Sequence, residues 1–135
     1  MKKLSYCLIC FLLLAIFDQA AWSQEPPSDE PTANVAGKWV LYCNDPQGTT
    51  STKYLDLEQD GNNIKGHFKG TYQSGGVEGT INGRHLVVRT KNRSALVFRG
   101  RIDGPKVNGA VQGSTYTGTF HARAGTGTFQ GQRPQ

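Results

Sequence analysis

Between Ile64 and Phe120 apolar and polar positions alternate, and one unit, apolar-x-Gly-x-apolar, recurs at 64–68, 77–81, 98–102, 107–111 and 116–120. Successive side chains of an extended strand point to opposite faces, so both apolar residues and the glycine of each unit share one face. Glycine weakens a strand interior, and five on one inner face suggest tight curvature or a need for space. The period-2 pattern predicts strands at 38–42, 53–58, 63–69, 76–81, 85–90, 95–102, 106–112 and 116–123, with a weaker ninth at 126–130. Asp60-Gly61, Asn82-Gly83 and Asp103-Gly104 supply the positive φ angles that tight hairpins require.

No segment carries a helical period, and short antiparallel strands joined in sequence favour a closed sheet without exposed edges. The predicted fold is therefore all-β, a single antiparallel up-and-down barrel of about eight short strands. Its inward set is expected to be Leu55, Leu57, Ile64, Phe68, Val77, Ile81, Leu86, Val88, Leu96, Phe98, Ile102, Val107, Val111, Tyr116 and Phe120, and nothing in it ionises at neutral pH. Eight strands enclose an interior that side chains fill or that holds one small ligand. The residues expected to line such a ligand site are Leu57, Phe68, Ile81, Val88, Phe98, Val111, Tyr116 and Phe120.

The N-terminal region departs from this pattern. Lys2 and Lys3 precede an apolar run over residues 4–17, and Ala21-Trp22-Ser23 forms a small-x-small site, the layout of an export signal over residues 1–23. The run is shorter than the roughly 20 residues of a membrane-spanning helix. Residues 24–34, rich in proline, acid and small polar residues, read as a disordered linker, and 35–135 as one domain. The expected location is exported, periplasmic or extracellular, with no transmembrane span in the mature chain. Cys7 and Cys10 leave with the signal, so Cys43 remains alone, and burial is its expected state.

Gly37-Lys38-Trp39 at the start of the first strand, with Arg123 at the end of the predicted last one, resembles the signature of the calycin superfamily: lipocalins, fatty-acid-binding proteins and avidin-like barrels. In that signature a basic side chain from the last strand covers the tryptophan. The resemblance implies structural roles for Gly37, Trp39 and Arg123, and a ligand-binding barrel as a fold-level analogy. It carries over no particular ligand: no polar cradle of the biotin type can be matched residue by residue.

Charge adds a second possibility. The whole chain has a formal charge of +5, and residues 31–135 hold 13 basic against 6 acidic residues. Arg89, Lys91, Arg93, Arg99 and Arg101 are expected to gather on one outer patch suited to an anionic glycan or a lipid headgroup. Without outward aromatics beside them, nucleic-acid recognition is disfavoured.

Catalysis and metal binding find little support. His67 and His121 fall on outward positions and His85 follows a turn, with no His-x-His or Cys-x-x-Cys spacing, so no metal or other cofactor is expected. Asp56, Glu58 and Glu78 point outward, as sheet-surface charges do, with Glu78 expected across from Lys65 or His67. Asn92-Arg93-Ser94 matches a glycosylation acceptor pattern and is given no role. The expected function is that of an exported, non-catalytic binding domain for a small hydrophobic molecule in the barrel interior. The alternatives are an interaction or inhibitor protein using its surface and the loop over residues 43–51, and a binder of anionic polymer through residues 84–106.

Overall fold

The computed structural model describes residues 30–134. The expected export signal (1–23) and residues 24–29 of the expected linker lie outside these. Ten strands follow in order: β1 (Gly37–Asn44), β2 (Thr50–Asp60), β3 (Asn63–Lys69), β4 (Ser74–Asn82), β5 (His85–Thr90), β6 (Val97–Asp103), β7 (Lys106–Val107), β8 (Ala110–Val111), β9 (Thr115–Ala122) and β10 (Gly125–Gln132). Eight of them close an antiparallel barrel in the order β1-β10-β9-β6-β5-β4-β3-β2, while β7 and β8 pair only with each other. The fold is thus all-β and up-and-down, as the alternation predicts.

Two of the expected strands change place. The segment 106–112 is not a barrel strand, because Asn108 (φ 54°) and Gly109 (φ 85°) adopt left-handed conformations and fold it into a two-residue hairpin. Val107, expected inside, is about half exposed there. The weak ninth strand instead completes the wall: β10 pairs with β9 along its length and with β1 from Val40↔Gln132 to Asn44↔Thr128. Asp103-Gly104 makes no tight hairpin, since it opens the excursion that carries β7 and β8.

The interior is a column of rings running the length of the barrel. Trp39 meets Tyr116 edge-on at 6.2 Å, Tyr116 meets Phe129 at 4.7 Å, and Phe129 meets Phe98 at 5.4 Å. Phe98 then contacts Phe120 at 5.7 Å and Phe68 at 6.3 Å. Edge-to-face arrangements at these separations are favourable for aromatic quadrupoles. The Tyr116 hydroxyl lies 2.8 Å from the Leu86 carbonyl and 3.1 Å from that of Phe98, so this buried polar atom is satisfied.

Inward glycines let the wall bend around this column. A Cβ placed at Gly66 would stand 1.9 Å from the Asp56 carbonyl oxygen, and one at Gly79 2.0 Å from that of Val87. Those positions touch neighbouring backbone, so glycine here serves close approach of strands rather than empty space.

One end of the barrel is plugged. The expected linker ends before Asn34: Ala33 and Val35 are fully buried, Ala33 N–H donates to the Gly83 carbonyl and Asn34 N–H to that of Val111. Gln59, an inward residue at this end, accepts from Val35 N–H and donates to the Ala33 carbonyl. The Trp39 indole N–H donates to the Val35 carbonyl at 2.9 Å.

Arg133, not Arg123, covers the tryptophan. Its guanidinium lies 5.0 Å from the Trp39 ring centroid and donates to the carbonyls of Ala36 and Asn34. Arg123 sits exposed in the β9–β10 turn at the opposite end. With β10 as the last strand, the residue just after it inherits the position over the indole. Gly37, where the strand starts, has φ +118°, a conformation that L side chains rarely adopt.

Candidate functional site

The unplugged end is a mouth framed by loops 45–49, 70–73, 91–96 and 123–124. It opens into a cavity of about 220 Å³ with Phe68, Leu96 and Phe120 on its apolar floor, Pro46 and Tyr72 on its rim, and Lys53 on its wall. Of the eight residues expected to line a ligand site, only Phe68 and Phe120 reach this cavity. Leu57, Ile81, Val88, Phe98 and Tyr116 are buried in the barrel interior, and Val111 lies on the hairpin at the plugged end.

Lys53 corrects the expectation that nothing inward ionises. Ser51, Lys53, Leu55 and Leu57 share parity on β2, so the lysine stem runs along the inner face while its ammonium reaches toward the mouth. Its side chain is only 11% exposed and its Nζ lies 5.6 Å from the Phe120 ring centroid. That ammonium donates to Ser51 Oγ at 2.6 Å and stands 3.9 Å from Asp45 Oδ1, while Ser51 donates to Asp45 at 3.3 Å.

Asp45 also shapes the neighbouring loop. Its backbone N–H donates to the Thr49 carbonyl, its own carbonyl accepts from Gly48 N–H, and its carboxylate accepts from the Thr49 hydroxyl. Cys43 and Asn44 belong to β1, and Thr50 and Ser51 to β2, so the loop expected over 43–51 is a five-residue turn bonded to itself. It is not an extended arm.

Cys43 lies inward near this trio and is only 2% exposed. Burial pushes its thiol up to about 11, against an opposing pull from the Lys53 ammonium. A protonated, enclosed thiol is a poor nucleophile. In the native protein Cys43 should resist a thiol-reactive dye at pH 7.5 and label promptly once denatured; rapid native labelling would contradict this burial. The folded state holds this proton more tightly than the unfolded chain, so the thiol's stabilising contribution is full below about pH 9 and lost as pH rises through about 11. A Cys43→Ala variant should lose that component of the alkaline decline in unfolding free energy.

The expected basic patch divides. Arg99 and Arg101 lie outward and exposed on β6, and Arg89 lies outward on β5 in register with Glu78. Lys91 and Arg93 belong to the mouth loop instead. Arg101 pairs with Asp103 at 3.4 Å. Glu78 is in register with both Lys65 and Arg89, an ordinary cross-strand arrangement of opposite charges. His67, His85 and His121 are exposed, and no group of three or more potential metal ligands stands together among the described residues.

An open depression lies on the outer wall, where Tyr42 and Tyr54 are each about half exposed beside Thr52, Lys69, Thr117 and Gln130. Neither tyrosine is assigned a role from the sequence; the signal that marks them is an aromatic residue at a polar-face position on each of two consecutive strands.

No protein-family model matches the sequence, and no curated protein matches it. Among solved structures the chain is similar to a redesigned β barrel, with a TM-score of 0.51 and 12% identity over 74% of this chain and 91% of that one. At that identity the likeness concerns the fold alone.

Proposed function

We propose that this is an exported, non-catalytic, calycin-like binding domain that takes a small amphipathic acid at the barrel mouth. The observation that carries the reading is Lys53, an inward cation directed over an apolar floor of Phe68, Leu96 and Phe120. An acid group would meet the ammonium while its hydrocarbon part covers the rings, so polar and apolar surfaces are both satisfied. A cavity of about 220 Å³ lies below the roughly 300 Å³ typical of drug-sized pockets, which favours a short acyl chain or a single ring.

The calycin-like part of the reading rests on Gly37 and Trp39 at the head of β1 and a guanidinium after the last strand. Its non-catalytic part rests on the chemistry of the mouth. Ser51 and Lys53 bond to one another and to Asp45, and the Cys43 thiol is held protonated.

Thermal shift with short-chain and aromatic carboxylates, each beside its uncharged amide, tests the proposal. At a hundredfold excess over Kd a ligand adds about 2.7 kcal/mol, so a saturating acid should raise the midpoint by several degrees. The amides should shift it far less, and Lys53→Met should weaken binding of the acids at least about tenfold. A flat response across the acids, or an unaltered response in the folded Lys53→Met variant, would remove the basis for the reading.

A further inference from the structure

We propose that the outer wall formed by β9, β10 and β1, with its margins on β6 and β2, binds an acidic polysaccharide. This site is separate from the barrel mouth and does not depend on it. Strands β1, β9 and β10 contain no Asp or Glu among their 24 residues. The acidic residues after Pro31 lie off these three strands: Asp56, Glu58 and Asp60 on β2, Asp103 on β6 beside Arg101, Asp45 in the 45–49 turn and Glu78 on β4. A polyanion approaching this wall meets no opposing charge from those three strands.

The registers place complementary groups in one band. Arg101 is in register with Thr117, Thr117 with Gln130, and Gln130 with Tyr42. The adjacent row runs Arg99, Thr119, Thr128 and Asn44. Three strand steps of roughly 4.8 Å separate the arginines from the far side of the band, a span of about 14 Å. Tyr42 and Tyr54 are diagonal neighbours across β1 and β2, and Lys69 pairs in register with Tyr54 on the far margin. Arg99 has no carboxylate partner among the described residues.

Each part has a matching group on a sugar chain. Exposed phenol rings offer flat apolar surface for the C–H faces of sugar rings. Threonine, asparagine and glutamine both donate and accept, as vicinal hydroxyls require. Arg99 on one margin, with Arg101 beside Asp103, and Lys69 on the other would meet carboxylates or sulfates, with guanidinium suited to bidentate pairing. A single-stranded nucleic acid fits less well, because its phosphate repeat calls for cations along the whole track and this band is neutral at its centre.

Retention of the full domain on immobilised polygalacturonate, with dextran and oligo-deoxythymidine as comparators, decides the matter. Binding to polygalacturonate should weaken as salt rises, and should fall about tenfold or more in both Y42A/Y54A and R99E/R101E. Lys53→Met should leave it unchanged, which separates this site from the mouth. Thermal unfolding establishes that each variant is folded; should the double tyrosine variant fail, Tyr42→Ser alone provides the same comparison. The proposal is overturned by no retention on polygalacturonate, by equal retention on dextran, by stronger binding to oligo-deoxythymidine, or by folded variants that bind like the parent. Sedimentation showing a dimer that Y42A/Y54A dissociates would also overturn it, by assigning the face to a second copy of the chain.

Discussion

Gly118→Ala is expected to cost the barrel about 3 kcal/mol, a large part of the roughly 5–15 kcal/mol that holds a domain of this size together. An added Cβ would stand 2.0 Å from the Arg99 carbonyl oxygen and 2.6 Å from the Gly100 Cα. Gly100 and Gly118 face each other in register, so the clash lies between two strands at their closest approach. No rotamer relieves a collision with backbone, and β6 and β9 must part. Their separation would weaken ladder hydrogen bonds worth about 1 kcal/mol each and disturb Tyr116, whose Cε1 lies 2.8 Å from where a Gly100 Cβ would be. Urea unfolding of the purified variant measures the loss. Gly109→Ala is the control: it sits at φ +85° in the β7–β8 turn with nothing near its Cβ position, and the left-handed strain alone costs about 1–2 kcal/mol. Equal stability of Gly118→Ala and the parent would show that the strands can separate there freely, and would remove the curvature role assigned to the repeat.

That contrast explains what the repeat encodes. Four copies, centred on Gly66, Gly79, Gly100 and Gly118, are barrel positions where strands approach closely. The fifth, centred on Gly109, has the same spelling but follows Pro105 and contains Asn108-Gly109, a pair suited to a tight turn. Period alone cannot distinguish these, because a short hairpin also places apolar residues on either side of its glycine. Counting 106–112 as a wall strand makes 116–123 the eighth and last, which places the capping residue at Arg123 rather than ten residues later.

Other features were within reach of parity. Positions 51, 53, 55 and 57 alternate with outward 52, 54, 56 and 58, so the pattern that places Leu55 and Leu57 inside also places Lys53 inside. Assuming that charge lies outward concealed it, although a lysine stem lines apolar surface readily when its ammonium reaches an open end. Gly127, Phe129 and Gly131 alternate in the same manner on β10. Burial of Ala33 and Val35 was less legible, since two apolar residues beside a proline-rich run carry too little periodicity to predict docking. What anchors them is tertiary: backbone partners at Gly83 and Val111 and the side chain of Gln59.

The plugged end supplies the other large effect, for Trp39→Ala should destabilise the domain by about 3–5 kcal/mol. Trp39 is 1% exposed, and truncation would leave a cavity beneath Val35 and beside Tyr116 while removing the indole donor to the Val35 carbonyl. The docked N-terminal segment should loosen before the barrel opens, so the Ala33 and Asn34 amides, bonded to Gly83 and Val111, should lose hydrogen-exchange protection beyond the global change. Arg133→Ala should cost about 1–2 kcal/mol, because it removes a cation from the indole face and two charged donors from carbonyls at this end. Arg123→Ala, at an exposed turn, should stay within about 0.5 kcal/mol of the parent. The order Trp39, Arg133, Arg123 is what the cap requires. If Arg123→Ala proved the more damaging of the two arginine variants, the cap would have to be reassigned, and with it the capping half of the calycin-like reading.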